Sequence, residues 1–411
     1  MKKFNQIFVL TILLSFFYSA SVFAQTGIEE CTAGVAAGRA TTDGRPLLWK
    51  SRDADDLDNE VIWNTSGKYK FIAVISADSV QWSWMGVNEK GFAIINTLST
   101  DLGRNSADNG TLMTTVLGMC ATVDEFETYL KETNAAVRKT NTNYGVIDAG
   151  GGAAFFETAA TKYWRYDAGD TEDGYIVKTN FAINGGGHGG IERYKRAVEL
   201  DKEFFATDKI DFKEIVRIQV RDFSDSLSNP VAIPFEGSVK DGGFGYFPHK
   251  FSICNNSTVS FAVIQGVLPG EPTELSTMWT ILGQPATGVL VPYWPVGPTP
   301  AESDGPSASP LCDAANKIRS KIYDYVNVEK LRGGKTKLLY INTFNLKDKN
   351  GIGIWETLFP TEDMIIREAE DALARWRLKM PEYSEILELE GKLAKKALDA
   401  ILRAEASLKD N

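Results

Sequence analysis

Three short glycine-containing turns divide much of the first half of this 411-residue chain into pairs of strands. The turns are Asp43-Gly44, the segment NEKG at 88–91 and the segment AGGG at 149–152. Each is flanked by segments of strand character, such as RPLLWKSRD after the first turn and FAIINT after the second. Turns this short join antiparallel strands, because parallel strands need a long crossover connection. The pattern therefore predicts antiparallel β-hairpins.

Helical segments separate these hairpins from one another. The segment 111–133 has helical character, and Thr122 and Glu125 within it form a Thr-x-x-Glu capping box. We therefore expect two helices there, with a break near Ala121. A further helix is predicted at 191–205, after a glycine-rich loop. Blocks of strands alternating with blocks of helices indicate an α+β fold rather than a doubly wound parallel sheet.

The last fifty residues are predicted to be helical. They carry a stripe of apolar residues spaced three and four apart, the spacing of one helix face. The stripe consists of Ile386, Leu389, Leu393, Ala397, Ala400 and Ala404. We expect this stripe to pack on the rest of the protein, in preference to forming a free coiled coil.

The first 24 residues have the features of a secretory signal peptide. Lys2 and Lys3 precede an apolar run at 7–18, and Ala24 precedes the expected cleavage point. The run is too short to span a bilayer well. No later segment has the apolar character of a membrane span. We therefore expect an exported protein, periplasmic or secreted, without membrane insertion after signal removal.

Charge and metal-ligand spacing exclude several classes of function. The chain has 54 acidic and 44 basic residues, a net charge of −10, and no basic run, so no nucleic-acid partner is expected. No Cys-x-x-Cys or His-x-x-x-His spacing occurs, so a structural zinc site is not expected. No cofactor is predicted. The four widely spaced cysteines leave room for one disulfide. The cysteines and histidines are Cys31, Cys120, Cys254, Cys312, His188 and His249.

Cys31 lies a few residues beyond the predicted signal cleavage. A lipid-anchor cysteine needs small or aliphatic residues before it, and here the preceding residues are IEE at 28–30. A structural role as a small buried hydrophobe is the ordinary alternative for a lone thiol. The position of Cys31 at the start of a strand, close to a processing site, instead favours a nucleophile that becomes the chain terminus.

The residues from Cys31 onward resemble a known superfamily. Cys31-Thr32 is followed by a small-residue strand, an Asp-Gly turn, a second strand and an Arg-x-x-Asp pattern at 52–55. The segments GVNEKGFAIINT, YGVIDAGGGAAFFE, KTNFAI and IERYKRA then occur in the order typical of the family. The sequence is similar to the N-terminal-nucleophile (Ntn) hydrolases, in particular the isopenicillin-N acyltransferase type and the choloylglycine hydrolase or penicillin V acylase type. The resemblance spans Cys31 to about Pro292.

This resemblance implies a four-layer αββα sandwich of two antiparallel sheets. We expect the sandwich over residues 31–360, after a signal peptide at 1–24 and a short propeptide at 25–30. Residues 295–310, rich in Pro and Ser, are predicted to form a surface loop of this domain. Residues 361–411 are predicted to form an added C-terminal helical extension that packs on it.

The resemblance also implies a base and a nucleophile. Autocatalytic cleavage of the Glu30–Cys31 bond would free the α-amine of Cys31. An α-amine titrates near pH ~8, so it suits the role of base for its own thiol. Arg52 would stabilise the thiolate. Asp55 would orient the amine, although Asp53 competes for this role; an ordinary surface ion pair of Arg52 and Asp55 is the alternative.

Three further residues match the family's pattern. Asn96 and Asn180 would donate N–H groups to the oxyanion of the tetrahedral intermediate. Arg193 would support the site or contact the substrate. As alternatives, Asn180 could cap the following loop and Arg193 could be a solvated helix residue.

The implied function is hydrolysis of a linear amide C–N bond, or transfer of its acyl group, through a thioester on Cys31. The expected partner is a small-molecule amide, and a homo-oligomer is compatible with this function. A dipeptidase of the same superfamily is an alternative, since its N-terminal pattern is similar. A non-catalytic secreted binding protein with Cys31 in a disulfide is another.

Two other motifs suggest different chemistry. The segment NGGGHGG at 184–190 lacks the Lys-Ser/Thr of a phosphate-binding P-loop, so a flexible loop at the pocket rim is predicted. A conventional dyad of a cysteine with His188 or His249 ranks below the terminal-amine mechanism, because neither histidine has a recognisable partner motif.

Overall fold

The computed structural model describes residues 30–103, 108–207, 209–224, 231–239, 243–305, 309–328 and 336–408. The predicted signal peptide and all of the predicted propeptide except Glu30 lie outside these ranges. No helix within them combines the length and the apolar character needed to cross a membrane.

The described residues form sixteen strands and eight α-helices. The strands are β1 (Glu30–Ala36), β2 (Leu47–Asp53), β3 (Asn59–Asn64), β4 (Phe71–Ser76), β5 (Met85–Asn88), β6 (Ala93–Leu98), β7 (Thr142–Ile147), β8 (Ala153–Thr158), β9 (Tyr163–Asp167), β10 (Tyr175–Lys178), β11 (Tyr246–Pro248), β12 (Thr258–Gln265), β13 (Thr277–Leu282), β14 (Val291–Tyr293), β15 (Tyr323–Val328) and β16 (Thr336–Asn342). The helices are α1 (Asn109–Leu117), α2 (Val123–Thr133), α3 (Ile191–Thr207), α4 (Phe212–Arg217), α5 (Pro310–Ile322), α6 (Thr343–Leu346), α7 (Ile354–Trp376) and α8 (Tyr383–Ser407).

The strands form two large sheets and one small sheet, with antiparallel pairing throughout. The first large sheet has the order β10-β1-β2-β12-β13-β14. The second is a seven-stranded meander from β3 to β9, in chain order. The small sheet has the order β11-β16-β15.

The predicted hairpins are confirmed at all three turns. β1 pairs with β2, β5 with β6, and β7 with β8. Gly44 and Gly91 both have φ of 77°, in the left-handed region where glycine has no steric cost. The local sequence therefore specifies these connections.

Alternating side chains explain why the two large sheets stack. On β4, Ile72 and Val74 pack into the core shared with the six-stranded sheet, whereas Phe71, Ala73 and Ile75 pack on the other side, under α1 and α2. Because successive strand residues point to opposite faces, one strand contributes to both cores. The seven-stranded sheet thus separates an outer helical layer from the core between the sheets.

The six-stranded sheet is covered by helices on its outer face. Trp279 of β13 stacks on Phe212 of α4, with ring centroids 4.9 Å apart. The indole nitrogen of Trp49 on β2 donates a hydrogen bond of 2.7 Å to Gln219, just after α4. The layer order is therefore helices, sheet, sheet, helices, and the predicted αββα sandwich is confirmed.

The C-terminal helices belong to this outer layer. Five residues of the predicted stripe are buried and Leu389 is half-buried against the core. The carboxylate of Glu362 on α7 is buried and accepts hydrogen bonds of 2.9 and 2.8 Å from Arg221. α7 begins at Ile354 and contains Pro360, so it crosses the domain boundary predicted at 361.

Between β14 and α5, the described residues of the Pro/Ser-rich segment 295–310 form a loop that is partly buried. Ser303 and Ser309 are fully buried. The hydroxyl oxygens of Ser303 and Tyr293 lie 2.6 Å apart, and Ser309 caps the N-terminus of α5. Because a buried tyrosine hydroxyl needs a hydrogen-bond partner, this segment is held inward at Ser303.

Candidate active site

Cys31 lies on β1 directly opposite Arg52 of β2. Side chains directly opposite each other in an antiparallel pair project from the same face, with their Cβ atoms about 5 Å apart. Cys31 is 1% exposed and is not in a disulfide. The pairing therefore places a buried thiol and a guanidinium as neighbours on one face of the six-stranded sheet.

That face points toward the seven-stranded sheet. Lys50 lies two residues before Arg52 on the same face, and its ammonium donates a hydrogen bond of 2.7 Å to the side-chain oxygen of Asn96 on β6. The Asn96 amide nitrogen lies 3.5 Å from the hydroxyl of Thr142. Asn96 is thus brought into the space between the sheets, and its orientation is set by Lys50.

Arg52 extends across the same space. It donates hydrogen bonds of 2.5 Å to the side-chain oxygen of Asn59 and 3.1 Å to the hydroxyl of Ser76. Its guanidinium carbon lies 4.7 Å from the ring centroid of Trp84, a cation–π distance. These contacts hold a buried positive charge beside the strand that carries Cys31, and the alternative of a surface ion pair is wrong.

The main chain of Cys31 is bound by two of the other predicted residues. Its N–H donates a hydrogen bond of 2.8 Å to the side-chain oxygen of Asn180. Its carbonyl oxygen accepts one of 2.6 Å from Arg193. Arg193 also donates 3.0 Å to the same oxygen of Asn180. Three residues distant in sequence therefore form one hydrogen-bonded unit.

The end of β10 and the start of α3 bring these residues to Cys31. Lys178, the last residue of β10, pairs with Ala33, so the chain reaches the level of Cys31 at Asn180. Gly190 precedes α3 with φ of 68°, and a Cβ there would lie 2.5 Å from the Arg193 side chain. Glycine at 190 therefore permits the turn that places Arg193, which is 1% exposed, beneath β1.

Asp55 lies outside the site, so the prediction that it orients the α-amine is wrong. β2 ends at Asp53, and the N–H of the next residue, Ala54, donates a hydrogen bond of 2.9 Å to the carbonyl of Ser257. The chain then leaves the sheet, and Asp55 is exposed.

Asp53 is the carboxylate at the site. It is fully buried, accepts hydrogen bonds of 2.7 Å from Thr258 and 2.6 Å from Asn255, and lies 3.6 Å from Arg193. Burial raises the pKa of Asp53 to about 7, although Arg193 and the two hydrogen bonds oppose this rise. The carboxylate of Glu30, opposite Asp53 in the strand pair, raises this pKa further.

A second buried charge pair was not predicted from the sequence. The ammonium of Lys178 lies 2.5 Å from Glu157 of β8, and both side chains are buried. Burial alone raises the pKa of Glu157, but Lys178 and hydrogen bonds from Asn184 and Ile183 bring it below its ordinary value. A Lys and a Glu 21 residues apart on separate strands have no local signature, so only the fold brings them together.

The glycine-rich loop wraps around two carboxylates of the protein itself. The N–H groups of Ile183 and Asn184 donate hydrogen bonds of 2.6 and 3.0 Å to the carboxylate of Glu157. The N–H groups of Ala182 and Gly187 donate hydrogen bonds of 3.1 and 2.8 Å to the carboxylate of Asp101. The predicted flexible rim is therefore a loop with four main-chain anchors, and its N–H groups bind protein carboxylates.

The histidines form no dyad with Cys31 in this arrangement. His188 is exposed on the loop. His249 is buried with its Nδ1 2.6 Å from the carbonyl oxygen of Cys254, and burial lowers its pKa to about 4. Burial also raises the thiol pKa of Cys120, Cys254 and Cys312 to about 12. Among the described residues, no three His, Cys, Asp or Glu side chains are grouped to hold a metal ion.

The chain is similar to solved structures of amide hydrolases. One is a conjugated bile acid hydrolase from Clostridium perfringens, with 13% identity, 61% of this chain and 89% of that chain covered, and a TM-score of 0.37. Another is the Caenorhabditis elegans ortholog of N-acylethanolamine-hydrolyzing acid amidase, with 14% identity, 61% and 99% covered, and a TM-score of 0.40.

A third is penicillin V acylase from Agrobacterium tumefaciens, with 15% identity, 64% of this chain and 85% of that chain covered, and a TM-score of 0.34. No family model and no curated protein matches the sequence. At these identities and TM-scores, the similarities assign neither an activity nor a substrate to this chain.

Proposed function

We propose that this chain is an exported N-terminal-nucleophile hydrolase of linear amides, with Cys31 as the nucleophile after removal of residues 1–30. The observation that carries the proposal is the hydrogen-bonded unit of Cys31, Asn180 and Arg193. The order of motifs alone predicts Asn180 and Arg193 at the site, although they lie 149 and 162 positions from Cys31 in the sequence. Their convergence on its main chain supports the resemblance.

Self-cleavage is the first reaction in this proposal. The Cys31 thiol attacks the Glu30 carbonyl carbon, the C–N bond breaks, and the Cys31 nitrogen takes the thiol proton. Water then hydrolyses the resulting thioester and releases the Glu30 carboxylate. Arg193, bound to the Cys31 carbonyl oxygen, and Asn180, bound to its nitrogen, hold the scissile segment in place during this step.

Catalysis repeats this chemistry on an external amide. The freed α-amine takes the proton of its own thiol, and the thiolate attacks the substrate carbonyl carbon. The substrate C–N bond breaks, the leaving amine takes the proton from the α-ammonium, and water hydrolyses the thioester. Arg52 stabilises the thiolate by its positive charge. Asp53, in place of Asp55, orients the α-amine.

Water is the acyl acceptor that fits an exported protein, since acyl-CoA is not expected to be available outside the cytoplasm. Acyl transfer to an amine uses the same thioester and differs only in the acceptor. A dipeptidase of the same superfamily is the second candidate. A binding protein with Cys31 in a disulfide is disfavoured, because none of the four cysteines, all within the described residues, forms a disulfide.

Trapping of the thioester tests the proposal. The processed protein would be mixed with p-nitroanilides of several acyl groups and with a dipeptide panel, and then quenched in acid for mass spectrometry. We expect release of nitroaniline and a mass increase equal to the acyl group, located on Cys31. Turnover that persists in Cys31→Ala, or an adduct on another residue, would contradict the proposal.

A further inference from the structure

Arg193 lies between two carboxylates, and one of them belongs to the residue that self-cleavage removes. The guanidinium is 3.2 Å from the Glu30 carboxylate and 3.6 Å from that of Asp53. The Arg193 side chain is 2% exposed, whereas that of Glu30 is 43% exposed. Glu30 therefore reaches from the more open side of the site to a buried cation.

Cleavage at Glu30–Cys31 changes the charge around Arg193. It removes the Glu30 carboxylate and leaves an α-amine on Cys31. The nitrogen of that amine and Arg193 share one oxygen of Asn180, at 2.8 and 3.0 Å. A buried guanidinium that exchanges a carboxylate for a basic amine favours binding of another anion.

The acyl group of the self-cleavage reaction indicates where that anion would be attached. Glu30 supplies the acyl group of the first thioester, and any substrate acyl carbon must reach the same thiol. In a glutamate residue, three carbon atoms separate the main-chain carbonyl from the side-chain carboxylate. An acyl group with the same separation can place its carboxylate where Glu30 contacts Arg193.

We propose that the processed site takes acyl groups in which three carbon atoms separate a carboxylate from the scissile carbonyl, as in glutaryl or α-glutamyl amides. Arg193 binds this carboxylate in the position that Glu30 vacates. The inference rests on the proposed function and adds the class of acyl group to it.

Matched amides test this inference on the processed wild-type protein. Glutaryl-p-nitroanilide carries the carboxylate, and 4-carbamoylbutanoyl-p-nitroanilide replaces it by an uncharged amide of the same length. We expect kcat/KM for the glutaryl compound to be higher by about tenfold or more, in line with a hydrogen bond to a charged group. In Arg193→Met this ratio should fall to about one, and Arg193→Lys should retain part of it.

Competition keeps the inference testable if Arg193→Met does not fold or process. Glutarate should inhibit wild-type turnover of the uncharged amide at concentrations about tenfold lower than its uncharged diamide, glutaramide. Equal turnover of the two amides together with equal inhibition would overturn the acyl-group inference and leave the proposed function intact. A preference for glutaryl that survives in Arg193→Met would overturn the assignment to Arg193. Absence of processing and of turnover on every amide would instead contradict the proposed function.

Discussion

The side-chain oxygen of Asn180 accepts a hydrogen bond of 2.8 Å from the main-chain nitrogen of Cys31. The same oxygen accepts a second hydrogen bond from Arg193, and the amide nitrogen of Asn180 donates 3.0 Å to the carbonyl of Leu98. With Glu30 still attached, Asn180 thus binds the atom that would become the α-amine. The role predicted from the sequence, donation to an oxyanion, would use the other end of this side chain.

Substitution of Asn180 separates these two roles. Asn180→Ala removes both and should leave the protein folded while lowering turnover about 100-fold or more. Asn180→Asp keeps a hydrogen-bond acceptor for the amine but cannot donate to the oxyanion. If its turnover is as low as that of Asn180→Ala, donation to the oxyanion is the role that matters. Steady-state kinetics and thermal unfolding check this, with Asn350→Ala on an exposed turn as the control. Near-normal turnover in Asn180→Ala would remove this residue from the mechanism.

Asp53 and Asp55 offer a matched pair of substitutions. Asp53→Asn neutralises the buried carboxylate next to Arg193 and should lower turnover about 100-fold, because the amine base loses its orienting charge. Asp55→Asn alters an exposed side chain and should leave turnover within about twofold of the wild type. If Asp55→Asn lowers turnover and Asp53→Asn does not, Asp55 orients the amine as the family's spacing implies, and the assignment of this role to Asp53 is wrong.

Ionisation of Asp53 should make the unprocessed protein less stable as pH rises. Its pKa is raised to about 7 in the folded chain, against ~3.9 in an unfolded one. The folded state therefore holds the proton more tightly, so this contribution to stability is complete below pH ~4 and is lost as pH rises through about 7. The slope contributed by this one group is at most about 1.4 kcal/mol per pH unit.

Denaturant unfolding of Cys31→Ala, which should retain Glu30, measures this slope between pH 4 and 8. The Asp53→Asn/Cys31→Ala double variant should lose the part of this pH slope that Asp53 contributes, whereas the Asp55→Asn/Cys31→Ala double variant should retain it. Identical pH profiles for all three proteins would show that Asp53 ionises near its ordinary pKa in the folded state.

Glu157 is predicted to position the loop that follows Asn180. Glu157→Gln leaves the buried ammonium of Lys178 without its carboxylate and should cost about 3 kcal/mol or more in unfolding free energy. The Glu157→Leu/Lys178→Met double variant removes both charges and should regain much of that stability. Its turnover should stay low, because Ile183 and Asn184 still lack their anchor. Urea unfolding and kinetics measure both effects; full recovery of turnover in the double variant would assign Glu157 to stability alone.

Local features of the fold were predictable from the sequence because local physics determines them. Gly44 and Gly91 supply the positive φ of two turns, and Thr122 caps α2 by accepting the N–H of Glu125. Cys31, Asn180 and Arg193 were predicted from the order of motifs in a family. The structure adds the hydrogen bonds that join them.

The remaining parts of the site depend on contacts between distant segments. Arg52 and Asp53 pair with Ser260 and Thr258 of β12, some 200 residues away, and β2 ends before Asp55. The Lys178–Glu157 pair and the Asp101 anchor of the glycine-rich loop likewise join separate strands and loops. No spacing along the chain encodes such pairs, so their roles could be derived only from the assembled sheets.

The intact mass of the exported protein, compared with that of Cys31→Ala, tests the central claim most directly. The account predicts a wild-type chain that begins at Cys31 and a variant chain that begins at Gln25, since the thiol cleaves its own preceding bond. If both chains begin at Gln25, the α-amine base does not exist and the terminal-nucleophile account is contradicted. If both begin at Cys31, another protease removes the propeptide and the self-cleavage step is wrong.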